Sequence, residues 1–140
     1  MLHHLGYERR TAGEVVERLR LAGVTELVDV RLTPISRKPG LSKTRLAAAL
    51  DEVGIAYRHE RPLGNPADNR EPFRRGDIAT GVAVYTARLH DDAAAAVERL
   101  LADATRRTVA VLCVERDERR CHRQVLTRLA RTRGIRVAAL

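Results

Sequence analysis

The sequence is poor in aromatic residues and in cysteine. Its 140 residues include one Phe, three Tyr, no Trp and two Cys. Because proteins bind single-stranded nucleic acid largely by stacking bases on aromatic rings, this composition gives little support to a stacking surface. Two cysteines are also too few for the disulfide framework of a small secreted domain. We therefore expect reduced thiols in a cytoplasmic protein.

Long apolar runs and the common cofactor motifs are absent as well. No run approaches the roughly 18 apolar residues of a membrane span, and the first residues, Met1-Leu2-His3-His4, begin a strand-like segment in place of a secretion signal. The sequence contains neither G-x4-G-K-[ST] nor G-x-G-x-x-G, the loops that bind nucleotide and dinucleotide phosphates. We expect no membrane association and no cofactor.

Arginine is the residue in excess. The formal net charge is +8, and the 26 basic side chains comprise 24 Arg and 2 Lys. A GC-rich coding sequence would produce the same bias with no binding partner, whereas an arginine-lined face would attract phosphate. The distribution is uneven, since residues 116–136 carry eight Arg against two acidic residues, a net charge of +6.

Hydrophobic periodicity predicts strands that alternate with helices. This alternation is typical of an α/β fold, and we expect a single three-layer domain over residues 1–140, with a mainly parallel sheet flanked by helices. The predicted helices cover 11–22, 42–53, 81–90, 92–103 and 121–133; the predicted strands cover the amino terminus, 26–31, 55–59, 108–114 and 135–139. The polar segment from Glu60 to about Thr80 is either a binding loop or partly mobile.

Ionisable residues cluster where the predicted strands end. Asp29 and Arg31 close one strand, and Tyr57 and His59 close the next. Because ligands bind beyond the carboxyl ends of parallel strands, we expect a site at this one edge of the sheet. The same edge should receive Ser36 and Arg37 from the loop after the first of these strands, and Glu115, Cys121, His122 and Arg123 after a third.

The tripeptide Cys121-His122-Arg123 is predicted to open a helix directly after a buried strand. Helix amino termini and neighbouring arginines stabilise a thiolate and bind anions. Cys121 is therefore a candidate nucleophile and His122 a candidate general acid or base. The alternatives are that Cys121 only packs and that His122 is a cap or a hydrogen-bonded structural residue.

The remaining candidates divide between catalysis and binding. Asp29 or Glu115 would orient a reacting group or act as base. For Arg31 and Arg123 the alternative to anion binding is an internal ion pair with Asp29 or Glu115. The expected substrate-binding set is Arg31, Ser36, Arg37, Tyr57, His59 and Arg123.

Two familiar cysteine patterns are not supported. The spacing Cys113-x5-Arg119 matches a cysteine-phosphatase loop, but the intervening residues lack glycine and include acidic side chains that would repel phosphate. A zinc site made from Cys113, Cys121, His122 and His59 matches no common ligand spacing, and Cys113 is expected to pack in the core. We expect no metal.

Several stretches, taken together, form a specific combination. They are Gly6-Tyr7, Asp29-Val30-Arg31, Pro34-x-Ser36-Arg37-x-Pro39-Gly40, Gly54-Ile55-x-Tyr57-x-His59 with Leu63-Gly64, and Leu112-Cys113-x-Glu115 followed by Cys121-His122-Arg123. They run in order along nearly the whole chain, which resembles the domain of unknown function 488 family. The resemblance implies an α/β fold and a shared polar site, and it assigns no activity.

Two functions are consistent with the sequence. The first is a small cytoplasmic enzyme, a hydrolase or group transferase, acting on an anionic substrate such as a nucleotide or nucleic-acid component. The second is a non-catalytic module whose arginine-rich face docks nucleic acid or an acidic protein. The oligomeric state is left open.

Overall fold

The computed structural model describes all 140 residues, with strands and helices alternating along most of the chain. The strands are β1 (Leu2–Gly6), β2 (Glu26–Asp29), β3 (Ala56–His59), β4 (Val109–Cys113) and β5 (Val137–Ala139). The helices are α1 (Ala12–Leu21), α2 (Lys43–Asp51), α3 (Arg70–Arg74), α4 (Ile78–Asp91), α5 (Ala94–Arg106) and α6 (Arg123–Thr132). The predicted α/β fold is confirmed.

All neighbouring strands of the sheet are parallel, in the order β3-β2-β4-β1-β5. The register places Asp29 beside His59 on one side and beside Leu112 on the other. The carboxyl ends of β2, β3 and β4 therefore meet at one edge, as the sequence predicts. We call it the carboxyl edge.

Successive residues of the central strands supply two different cores. Leu27 and Leu112 pack with α1 and α2 on one face of the sheet, whereas Val28 and Val111 pack with α4, α5 and α6 on the other. Side chains alternate between the faces of a strand, so strands that are apolar throughout require helices on both faces. The result is the expected three-layer arrangement. No helix is long and apolar enough to cross a membrane.

Polar side chains set several element boundaries. Thr11 forms a capping box with Glu14 at the start of α1, where the sequence predicts a helix to begin. Ser42 precedes α2, but its hydroxyl bonds the backbone of Ser36 and does not cap the helix. Asp77 accepts from the backbone of Thr80, and α4 therefore begins before the predicted position.

The segment predicted as a binding loop or a partly mobile region forms short helical turns. It contains the 3₁₀ turns Arg61–Leu63 and Ala67–Asn69, followed by α3. Asn69 donates to the side chain of Asn65 and to the carbonyl of Gly81, which ties the segment to α4. This places residues 65–74 over the carboxyl edge.

Gly6, the last residue of β1, lies directly beneath the loop that follows β4. A Cβ atom at this position would lie 1.8 Å from the carbonyl oxygen of Glu115 and 2.8 Å from the Cα of Arg116. Both obstacles are backbone atoms, so no side-chain rotation could relieve the overlap. Only glycine permits this approach.

We expect Gly6→Ala to lower the free energy of unfolding by about 3 kcal/mol or more, because the loop would have to move away from β1. Gly13→Ala is the matched control, since its Cβ would meet nothing closer than 3.9 Å. That control should be neutral or stabilising by about 0.5 kcal/mol, because Gly disfavours helix. Urea denaturation measures both, and equal effects of the two substitutions would contradict the close approach.

Candidate functional site

A cavity of about 470 Å³ opens at the carboxyl edge of the sheet. Its walls come from the loop after β2, from the segment 65–74 and from the loop between β4 and α6. Four of the predicted site residues line it: Arg31, Glu115, Cys121 and His122. The cavity therefore lies where the parallel sheet predicts a ligand site.

Two thiols, an imidazole and a carboxylate meet at the bottom of this cavity. The Sγ atoms of Cys113 and Cys121 lie 3.9 and 3.7 Å from Nδ1 of His122. The Sγ of Cys113 also donates to Oε2 of Glu115 at 3.2 Å. We call these four residues the cavity floor.

The ring of His122 is fixed from two directions. Its Nε2 lies 3.2 Å from the carbonyl oxygen of Val30, and its edge packs against the ring of Tyr85 with centroids 4.9 Å apart. Because a carbonyl only accepts, Nε2 carries a hydrogen and Nδ1 offers its lone pair to the thiols in the neutral ring. The imidazole is thus oriented towards the two cysteines.

Burial controls the ionisation of this floor. It raises the pKa of the Cys121 thiol well above its usual value, and the neighbouring Cys113 raises it further. Burial alone would lower the pKa of His122, but Cys121, Glu115 and the Val30 carbonyl raise it overall. For Glu115, burial raises the pKa, whereas hydrogen bonds from its own backbone and from the thiols lower it overall.

The expectation of an exposed, low-pKa thiol at a helix start is wrong. Cys121 is only 1% exposed and follows a 3₁₀ turn, Glu118–Arg120, that is capped by the Asp117 side chain. The helix α6 begins at Arg123, two residues after Cys121, and His122 is its N-cap residue. Cys121 therefore lacks the solvent contact and the dipole position on which that expectation depended.

The rim of the cavity carries three exposed arginines: Arg70 and Arg74 from α3, and Arg120 from the 3₁₀ turn. None of their guanidinium groups forms a hydrogen bond or ion pair in the structure. Of the acidic residues that line the cavity, only Asp117 forms an ion pair with an arginine. Its partner is Arg119, which is not one of the three rim arginines. The rim therefore carries three arginines that no carboxylate pairs with, while the carboxylates of Glu8 and Glu115 also line the cavity.

Asp29 and Arg31 form a buried ion pair behind the cavity wall. Asp29 is 0% and Arg31 4% exposed, and Nε of Arg31 lies 2.8 Å from Oδ1 of Asp29. Tyr57 donates to Asp29 at 2.7 Å, and Nε2 of His59 lies 2.8 Å from the Arg31 carbonyl. Arg31 thus forms the internal ion pair with Asp29 that was the alternative to anion binding. Asp29, Tyr57 and His59 support the cavity wall but do not line the cavity.

Arg123 does not reach the cavity either. Its side chain is buried, and its guanidinium donates to the carbonyls of Glu115 and Arg116 and to Nδ1 of His4. The expected role as an anion contact is wrong, because these contacts direct the group into the protein. Arg123 holds the loop that carries Glu115.

Ser36 and Arg37 also lie away from the floor. They line a shallower depression formed by residues 34–45. Ser36 donates from its backbone to Ser42 and accepts at its hydroxyl from the backbone of Lys38, so it shapes the loop. These two residues belong to the carboxyl edge but not to the cavity found there.

Sequence reasoning missed one floor residue and most of the rim. Cys113 packs in the core, as the sequence predicts, but as the last residue of β4 it also lines the cavity. The register of β4 against β2 would have indicated this. Arg70, Phe73 and Arg74 carried no signal beyond their place in an arginine-rich segment.

We expect Asp29→Asn to cost about 3–5 kcal/mol of folding stability, because it leaves the buried Arg31 guanidinium without its counter-charge. The double variant Asp29→Asn/Arg31→Met should lose less than the summed losses of the single variants Asp29→Asn and Arg31→Met, since it leaves no charge stranded. Urea unfolding of all four proteins completes this cycle. Additive losses would mean that the two groups do not act as a pair.

Comparison with known proteins identifies a family whose match spans the whole candidate site, but it assigns no activity. The family described as Domain of unknown function DUF488 matches residues 11–130, a span that includes every floor and rim residue. No curated protein and no solved structure matches the chain. Because the match covers most of the 140 residues, the chain belongs to the family of the domain of unknown function DUF488.

Proposed function

We propose that this protein is a cytoplasmic enzyme, a hydrolase or group transferase, that acts on an anionic small molecule in the carboxyl-edge cavity. A nucleotide or a nucleic-acid component fits this description. The observation that carries the proposal is the position of three unpaired arginines directly above a floor of thiol, imidazole and carboxylate groups. Charge recognition and reactive groups thus meet in one cavity.

The rim supports binding of an anion. Guanidinium groups present a planar set of donors that matches phosphate or carboxylate oxygens. Arg70, Arg74 and Arg120 are free to make such bonds because no protein carboxylate holds them. Arg31, although it lines the wall, directs its Nε and Nη2 to Asp29 and its Nη1 to the Leu41 carbonyl.

The floor supports chemistry on the bound molecule. Glu115 lines the cavity beside Cys113, where its carboxylate could take a proton from an attacking water or hydroxyl. His122 is oriented by Val30 and Tyr85, as expected for a group that must hold one geometry during a reaction. The free state of both thiols fits a reducing compartment such as the cytoplasm.

The alternative, a module that docks nucleic acid or an acidic protein through its arginine-rich surface, has weaker support. Arg131 and Arg133 on the outer part of α6 and just beyond it are paired with Glu118 and Glu98. Arg128 on that surface is exposed and forms no ion pair. Unlike the rim arginines, it does not lie at a cavity that also contains thiol, imidazole and carboxylate groups.

We expect inorganic phosphate to raise the melting temperature of the metal-free protein by roughly 8 °C when its concentration is one hundred times Kd, because binding to the native state then adds about 2.7 kcal/mol. The triple variant Arg70→Gln/Arg74→Gln/Arg120→Gln should lose most of this increase. Thermal melts with and without phosphate measure the difference.

Arg128→Gln is the matched control, since it removes one exposed arginine outside the cavity. It should retain the full phosphate effect. Loss of the effect in this control, with retention in the triple variant, would favour surface docking and contradict the proposed enzyme site.

A further inference from the structure

The cavity floor brings together three metal-binding atoms that are far apart in the sequence. The Sγ atoms of Cys113 and Cys121 and a ring nitrogen of His122 all lie within 4.8 Å of one another. We propose that these three side chains bind a zinc ion, or a divalent transition ion of similar ligand preference, with one coordination position open to the cavity. The proposal goes beyond the anion-binding function and does not depend on it.

The two sulfur–nitrogen distances fit tetrahedral coordination. A sulfur and a nitrogen bound to tetrahedral zinc lie about 3.6 Å apart, and two sulfurs about 3.8 Å apart, given bonds of about 2.3 and 2.1 Å. Nδ1 of His122 lies 3.7 Å from Sγ of Cys121 and 3.9 Å from Sγ of Cys113. Both sulfur–nitrogen separations are thus close to those of ligands of one ion, and the two sulfurs, which lie within 4.8 Å of each other, need only a small approach to complete the arrangement.

The surroundings of His122 are those of a metal ligand. Histidines that bind metals usually donate their second ring N–H to a carbonyl or carboxylate, which fixes the nitrogen that faces the ion. Nε2 of His122 meets the Val30 carbonyl at 3.2 Å, so Nδ1 faces the two thiols. All three side chains are buried, being 4%, 1% and 5% exposed for Cys113, Cys121 and His122.

The donor set selects the ion. Two thiolates and an imidazole favour zinc and other borderline or soft transition ions over magnesium and calcium, which prefer oxygen ligands. Three protein ligands with an open fourth position are characteristic of catalytic zinc sites, whereas structural sites have four. The cavity provides both an entry path and room for an oxygen ligand at that position.

Glu115 lies beside this site without completing the ligand set. Its Oε2 is 3.2 Å from Sγ of Cys113, but the group of mutually close ligand atoms contains only the other three residues. We assign Glu115 to the open side of the site, where its carboxylate would face a bound water or substrate. The expectation of no metal rested on ligand spacing along the chain and on the packing of Cys113 in the core; in the structure Cys113 is buried and its sulfur still lies beside Cys121 and His122.

The first experiment uses the full-length wild-type protein, stripped with EDTA and kept reduced with a phosphine. Titration with Co²⁺ should give one equivalent of binding, with visible bands of tetrahedral cobalt and a thiolate-to-cobalt charge-transfer band. Zinc should displace the cobalt and protect both thiols from a disulfide reagent. The distances between the two sulfurs and Nδ1 of His122 also fit S–H hydrogen bonds without a metal. A cobalt spectrum without the charge-transfer band would therefore overturn the metal site.

The second experiment compares variants by competition with a chromogenic zinc chelator. Cys121→Ser and His122→Asn should each weaken zinc binding by about 100-fold or more, because each removes one of three ligands. His90→Asn, which changes an exposed histidine on α4, should bind like the wild type. Glu115→Gln should retain binding within about tenfold, the size of an outer-contact effect.

Two outcomes would contradict parts of this assignment. Wild-type affinity in Cys121→Ser would overturn the proposed ligand set, and a loss in Glu115→Gln equal to that in Cys121→Ser would overturn the open position. If a ligand variant fails to fold, as judged by circular dichroism, the wild-type cobalt spectrum decides. Because the phosphate melts use metal-free protein, failure of zinc binding leaves the anion proposal intact, and the reverse also holds.

Discussion

The arrangement of the cavity depends on one buried guanidinium. Arg123, at the first turn of α6, donates to the carbonyls of Glu115 and Arg116 and draws their loop towards the sheet. Gly6 permits the contact because it has no side chain under that loop. The position of the Glu115 carboxylate, and the return of the chain to Cys121 and His122, follow from this anchor.

The polar side chains at the carboxyl edge are thus of two kinds: buried groups that support the cavity and groups that line it. The ion pair of Asp29 and Arg31, together with the bonds of Tyr57 to the Asp29 carboxylate and of His59 to the Arg31 backbone carbonyl, stiffens the loop after β2. That loop supplies the Val30 carbonyl that orients His122. Residues that lie mostly behind the cavity wall, such as Asp29, Tyr57 and His59, therefore help to determine the geometry of its floor.

The sheet and its carboxyl edge could be predicted from the sequence. Hydrophobic periodicity locates the strands, and in a parallel sheet the carboxyl ends of all strands lie at the same edge. Whether Asp29 acts in catalysis and Arg123 binds the ligand, or whether both serve internal contacts, could not be decided from the sequence, since a buried and an exposed charge look identical there. The start of α6 was missed because Asp117 caps a 3₁₀ turn that buries Cys121. Arg70 and Arg74 lie in a segment without periodicity, so only tertiary contacts such as that of Asn69 with Gly81 locate them.

The most direct test of this account is an amide NMR titration of the metal-free protein with phosphate. Binding at the cavity predicts shifts for amides in three segments that meet only in the folded structure: residues 31–33, 65–74 and 113–122. Amides on the outer face of α6 around Arg128 should not change. Shifts confined to that outer face, or an absence of shifts at concentrations that raise the melting temperature, would contradict the cavity as the functional site.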